Sequence, residues 1–171
     1  MDERARGATN WLESAMPRYA NTLARTAYAY LGDLALAEDA VQETFLKAWK
    51  GFDRFRGEAD EKTWLLRIAI NTCKDLRRGA WFRRVDRSVP LESLPEGEAP
   101  FTPADDALTR AVMALPHRQR AVVLLHCYQE LTAEETARVL GVARSTVFAR
   151  LQKARKALQQ ALEGYEDEDD R

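Results

Sequence analysis

Residues 131–155 combine small, polar, aromatic and basic side chains at spacings suited to a DNA groove. Thr132-Ala-Glu-Glu135 is a Ser/Thr-x-x-Glu capping box that opens a short helix, and Gly141 supplies its stop signal. Ala137 is small where two helices cross closely. Gly141 lies four positions on, where the turn calls for a positive φ, and Val147 lies six further and locks a second helix onto the first. This spacing predicts a helix-turn-helix. Its second helix projects Ser145, Phe148, Ala149, Gln152 and Lys156 outward, and short polar and apolar groups there suit base edges and thymine methyls. Arg144, Arg150, Lys153 and Arg155 can reach phosphates. The same spacing also describes an ordinary helical hairpin with a solvated basic face.

A second constellation lies upstream. Arg67, Asn71, Lys74 and Arg78 recur at spacings of four, three and four, beside Trp64 and after Phe52 and Phe55. Aromatics next to bases of this kind suit unstacked nucleobases, because every nucleobase offers a π-face. Spacing alone favours core positions for the three aromatics. A third face, Asp39, Gln42, Glu43 and Leu46, repeats at i, i+3, i+4 and i+7. Nothing makes its two acids a catalytic pair.

The elements that must carry these residues all read as helices. The first runs from about Trp11 to Leu31, stopped by Gly32. Asp33 caps the second, which ends at Lys50 and has Leu34, Ala37, Val41, Phe45 and Ala48 on its apolar side. A turn-rich connector, 51–60, leads to a third helix over about 61–78 with the stripe Leu65, Ile68, Ala69, Thr72 and Leu76. Four prolines (Pro90, Pro95, Pro100, Pro103) and Glu92, Glu96 and Glu98 then mark an extended linker. Thr102-Pro103 is a start signal for a fourth helix ending near Leu115-Pro116. A fifth runs from Pro116 to about Gln129. The two helices of the helix-turn-helix follow, the last of them over about 144–162 with Val147, Leu151, Ala154, Leu158 and Leu162 inward. No segment sustains strand alternation. The expected fold is all-α: a three-helix domain and a four-helix domain joined by a proline-rich acidic linker.

Composition supports this division. The chain has 171 residues, 46% of them apolar, which is enough for a core. No window approaches the length of a transmembrane helix, and Met1-Asp2-Glu3-Arg4 leads into no apolar stretch, so no signal peptide is expected. The net charge of −1 hides a segregation. Residues 62–88 hold eight bases and two acids, 138–156 hold six bases and no acid, and 163–171 hold six acids and one base. Two basic blocks suggest two anionic contact surfaces, with solvated helix faces as the plain alternative. Cys73, Cys127, His117 and His126 fit no common metal spacing, and both cysteines read as buried small hydrophobes. No phosphate-binding glycine loop or nucleophile motif is present. No catalytic site, metal or cofactor is expected.

Taken together, several ordered segments resemble bacterial sigma factors. They are Ala37-Glu-Asp-Ala-Val-Gln-Glu-Thr-Phe-Leu-Lys-Ala-Trp49, Phe52-Asp-Arg-Phe-Arg-Gly57, Thr63-Trp-Leu-Leu-Arg-Ile-Ala-Ile-Asn-Thr72, Leu115-Pro-His-Arg-Gln-Arg-Ala-Val-Val-Leu-Leu125 and Leu131-Thr-Ala-Glu-Glu-Thr-Ala-Arg-Val-Leu-Gly141. Their order, spacing and two-domain length are similar to the extracytoplasmic-function (ECF) group over about residues 11–162. The resemblance implies a region 2 domain over 1–84, a flexible acidic linker over 85–103, a region 4 domain over 104–163 and a disordered acidic tail over 164–171. It implies that Asp39, Gln42, Glu43 and Leu46 dock on the β′ clamp helices of core RNA polymerase. The β flap would be the second polymerase contact. Phe52, Phe55, Trp64, Arg67, Asn71, Lys74, Arg77 and Arg78 would open the minus-ten element and hold a flipped base. Arg144, Ser145, Thr146, Phe148, Ala149, Arg150, Gln152 and Lys153 would read the minus-thirty-five element.

The resemblance also implies an anti-sigma partner and a bacterial cytoplasmic location, with any hold at the membrane made through that partner and not by direct insertion. This chain departs from the family in having Phe148-Ala149 after Thr146-Val147, Ala143 where a capping Ser is usual, and His126 where a base is common. Phe148 in that place favours apolar contact with a thymine methyl or sugar. The rival readings are a dimeric helix-turn-helix regulator and a helical interaction protein without nucleic-acid function; an enzyme is the least favoured.

Overall fold

A computed structural model describes residues 3–57, 59–83 and 106–169. Seven α-helices make up the described chain: α1 (Glu3–Leu31), α2 (Leu34–Gly51), α3 (Glu61–Arg83), α4 (Ala107–Ala114), α5 (His117–Val122), α6 (Ala133–Leu140) and α7 (Arg144–Asp169). No strand occurs among the described residues. The linker over 85–103 and the start signal Thr102-Pro103 lie outside the described residues.

The helix boundaries follow local chemistry. Gly32 takes φ +71° and its N–H bonds the Tyr28 carbonyl at 2.7 Å, closing α1. Asp33 Oδ1 accepts from the Leu36 N–H at 3.0 Å and opens α2. Asp106 caps α4: its Oδ1 accepts from the Thr109 N–H at 2.7 Å, which holds the Asp106 carboxyl below its usual range. The capping box at α6 is formed both ways, with Glu135 N–H on Thr132 Oγ1 at 3.1 Å and Thr132 N–H on Glu135 Oε2 at 2.8 Å.

Several boundaries depart from the sequence reading. α1 begins at Glu3, eight residues before Trp11, and continues through Pro17. Burial of Ala15, Leu23 and Ala27 in the shared core, on either side of Pro17, outweighs the backbone hydrogen bond that Pro17 cannot make. α2 ends at Gly51 but without a left-handed glycine cap: Gly51 has φ −96°, the chain tightens into a 3₁₀ turn over Phe52–Arg54, and the left-handed glycine of the connector is Gly57. α5 widens into a π turn over Val123–Tyr128, in which the Gln129 N–H reaches the Leu124 carbonyl at 2.9 Å. α7 continues to Asp169, through the acidic residues read as a disordered tail. No proline interrupts that stretch, and extending an existing helix needs no new nucleus.

The core explains the helix faces. α3 buries Leu65, Leu66, Ala69, Ile70, Thr72 and Cys73, a wider face than one stripe, because it is packed against α1 and α2 on one side and α6 on the other. Leu34, expected inside, is 44% exposed, since it sits at the very start of α2. Cys73 is buried and its thiol is pushed up to about 12 by that burial. Cys127 is exposed, against expectation; it lies in the π turn, past the end of the buried run 121–125. The two halves do not keep separate cores. One continuous cluster runs from Leu23, Phe45 and Leu65 through Val122 and Leu125 to Leu140, Val147 and Leu151.

Candidate functional site

α2 and α3 pack so that a groove of about 500 Å³ opens between them. Its lining includes all four residues of the third sequence constellation: Asp39, Gln42, Glu43 and Leu46. Leu46 is 44% exposed there, an apolar spot inside an acidic rim. The spacing missed the opposite wall, formed by Thr72, Asp75 and Leu76 of α3. Lys47 crosses the groove, 3.9 Å from Glu43, 3.7 Å from Asp75 and 3.2 Å from the Thr72 hydroxyl. Thr72 and Leu76 read as core from periodicity; only pairing the polar side of α2 with an adjacent i, i+3, i+4 set on α3 would have revealed the wall.

The aromatics of the connector are half-buried and stack on one another. Phe55 lies over Trp64 with ring centroids 4.6 Å apart, and Phe52 over Trp11 at 5.1 Å. Trp11, not singled out in the sequence, joins the two pairs by its tilted contact with Trp64 at 5.6 Å, and its indole N–H donates to Glu61. The aromatic cluster is thus a packed structural unit with a solvent edge, in line with the core placement that spacing alone favoured. Arg67, Asn71, Arg77 and Arg78 are exposed along α3, and Lys74 is half-buried.

The helix-turn-helix forms as spaced. Ala137 is buried at the crossing, Gly141 takes φ +66°, the Val142 N–H returns to the Ala137 carbonyl at 3.0 Å, and Val147 is fully buried. Ser145, Phe148, Ala149, Gln152 and Lys153 are exposed, with Thr146 half-buried behind them. Phe148 is 48% exposed, and the Arg144 guanidinium lies 5.6 Å over its ring. Arg150 points elsewhere: it lines a cleft between the halves of the molecule together with Lys74, Arg77 and Arg78. The structure therefore brings part of the α3 basic set and one α7 base together, while Arg67, Asn71 and the rest of the α7 set stay outside that cleft.

Comparison with known proteins settles the family. Residues 16–83 match the Sigma-70 region 2 family and residues 105–158 match the Sigma-70, region 4 family. The ECF RNA polymerase sigma factor SigL of Mycobacterium tuberculosis is 36% identical over 151 residues, covering 85% of each chain. The chain belongs to the ECF sigma factors. The ECF factor SigM of the same species is 37% identical over 131 residues, 75% of this chain, which spans 65% of SigM's length. A solved structure with the same fold is the sigma factor RpoE in complex with the anti-sigma factor NepR from Bartonella quintana. It has a TM-score of 0.70 and 26% identity and covers 88% of this chain and 96% of that one. Among the described residues of this sigma factor, no helix is long and apolar enough to cross a membrane.

Proposed function

We propose that this ECF sigma factor binds core RNA polymerase, directs it to specific promoters, melts the minus-ten element and reads the minus-thirty-five element. The reading rests on one observation: a single chain carries both the acidic groove of Asp39, Gln42, Glu43 and Leu46 and an outward-facing helix-turn-helix, each inside its family-matched segment. The groove, with a leucine exposed inside an acidic rim, suits docking on a basic helical surface of the polymerase clamp. The solvent edges of Phe52, Phe55 and Trp64, with Arg67, Asn71, Lys74, Arg77 and Arg78 along the same helix, suit a strand with an unstacked base. Arg144, Ser145, Thr146, Phe148, Ala149, Gln152 and Lys153 suit the major groove, with Arg150 free to join them once it leaves the cleft. RpoE's structure with NepR supports an anti-sigma partner here as well. No step of this function calls for a catalytic residue of the sigma factor, and the cytoplasm is the expected location.

Run-off transcription with core polymerase, with sequencing of the selected promoters, tests the reading. The expected result is transcripts that depend on this chain and share two elements upstream of the start. Failure to co-elute with core polymerase, together with operator binding by the chain alone as a dimer, would overturn it in favour of a helix-turn-helix regulator.

A further inference from the structure

The cleft between the two halves has a volume of about 630 Å³, within the range of small-ligand sites. Its charged lining is Lys74, Arg77 and Arg78 from α3, His117 and Arg118 from α5, and Arg150 from α7. Among the described residues, none that lines it is acidic. Of these six, Arg78 has a carboxylate contact among the described ion pairs, with Asp75 at 3.9 Å on the exposed side of α3. His117, Arg118 and the adjacent Arg120 belong to neither promoter-reading set, so the promoter role does not account for their convergence. Arg120 gives one guanidinium N–H to the Met113 carbonyl at 2.9 Å, while its Nε is buried with no partner. The crowding crosses between the halves. Burial and then Arg150 of α7 and Arg78 hold the Lys74 ammonium below its usual range; burial and then Arg77 of α3, Arg118, Arg120 and Arg150 do the same to His117.

Like charges brought together around a half-open cleft, with Arg77, Arg78 and Arg118 still reached by solvent, favour a bound counter-charge. Guanidinium forks match phosphate oxygens bidentately, and so many cations around one space suit several phosphates more than one carboxylate. The chain's acidic C-terminus is badly placed to serve. α7 carries Glu163 about 20 Å along its axis from Arg150, at 1.5 Å per residue. We propose that this interdomain cleft is a binding site for a compact, multiply phosphorylated anion, which joins Lys74 and Arg77 of one half to His117, Arg118 and Arg150 of the other. Because the ligand touches both halves, it stabilises their packed arrangement. The binding claim stands independently of the promoter reading.

Calorimetric titration of the full chain with sodium tripolyphosphate, at constant ionic strength in chloride, tests this. A nucleoside 5′-triphosphate in a parallel titration distinguishes an inorganic source from a nucleotide one; the site accounts for either, and tighter nucleotide binding assigns the base a place in the cleft. The expected result is one ligand per chain, at least tenfold weaker binding in each of Arg118→Glu and Arg150→Glu, and less than a threefold change in Arg6→Glu. Arg6→Glu makes the same charge change at an exposed position near the start of α1. Arg118 is also exposed, so its replacement leaves the fold intact. Equal weakening in Arg6→Glu, several ligands per chain, or no saturable binding would overturn the proposal. So would binding that emerges only when Glu92, Glu96 and Glu98 are all changed to Gln, which would assign the cleft to the chain's own acidic segment.

Discussion

At the scale of single residues, two positions in the helix-turn-helix separate folding from reading. Gly141 sits at φ +66°, yet a Cβ there would meet nothing within 4 Å. The cost of a side chain is therefore conformational alone, about 1–2 kcal/mol for an ordinary L-residue in the left-handed region. Gly141→Ala should lower thermal stability by that amount, and Gly141→Asn by less, because Asn tolerates this region. A melt with equal losses for Ala and Asn would show that something other than φ governs the site. Phe148 is the opposite case. It is 48% exposed, with its ring under Arg144, so Phe148→Ala should leave the melting temperature within about a degree or two of the parent. If its ring meets a thymine methyl, the same variant should lose roughly tenfold discrimination at one base pair, within the 1–3 kcal/mol of a good base contact. Promoter selection with the variant measures this, and an unchanged selected sequence would remove Phe148 from the reading face.

At the scale of elements, the α2–α3 groove makes the proposed docking surface a property of two helices rather than one. Lys47 partly neutralises Glu43 and Asp75, but these are exposed contacts of 3.7–3.9 Å, worth at most about 1 kcal/mol to stability. Glu43→Lys should therefore fold normally and weaken co-elution with core polymerase by an order of magnitude or more, through charge reversal at the rim of the groove. Retained polymerase affinity would count against the groove as the docking site. The same elements show what the sequence could and could not convey. Capping chemistry is local, so Asp33, Thr132, Gly32 and Gly141 were legible from their neighbours. The spacing of Asp39, Gln42, Glu43 and Leu46 gave one wall of the groove for the same reason. The other wall, the stacking of Trp11 on Phe52, and the wide buried face of α3 depend on which helices meet, and helical periodicity carries no information about partners. The π turn over Val123–Tyr128, which carries the exposed Cys127, was hidden too, because an apolar run reads alike in α and π geometry.

At the scale of the whole molecule, the described arrangement is closed. α3 packs on α6, Gln129 Nε2 reaches the Thr26 hydroxyl at 3.1 Å, Lys62 reaches the Gln129 carbonyl at 3.0 Å, and Lys74 reaches the Leu140 carbonyl at 3.5 Å. Promoter elements at minus ten and minus thirty-five lie roughly 25 base pairs apart, or ~85 Å at 3.4 Å per pair. Lys74 and Arg150 share one cleft here, so a chain that engages both elements must first open. His117 gives that opening a pH dependence. The groups facing it are Tyr30, Arg77, Arg118, Arg120 and Arg150, and burial followed by those arginines holds its pKa below the ordinary 6.5. Opening removes Arg77 and the burial, so the open state binds more protons than the closed one near and below pH 6.5. Closed-state stability therefore rises with pH through that window, and the penalty is complete once the pH falls below the depressed value. Fluorescence transfer between labels on α1 and α7 should report a longer distance at pH 5.5 than at pH 8, and His117→Gln should flatten the response. An equally steep response in the His117→Gln variant would move the sensitivity to another group, and a distance independent of pH in the parent would show that the arginines of the cleft are screened well enough for the closed state to tolerate one more charge.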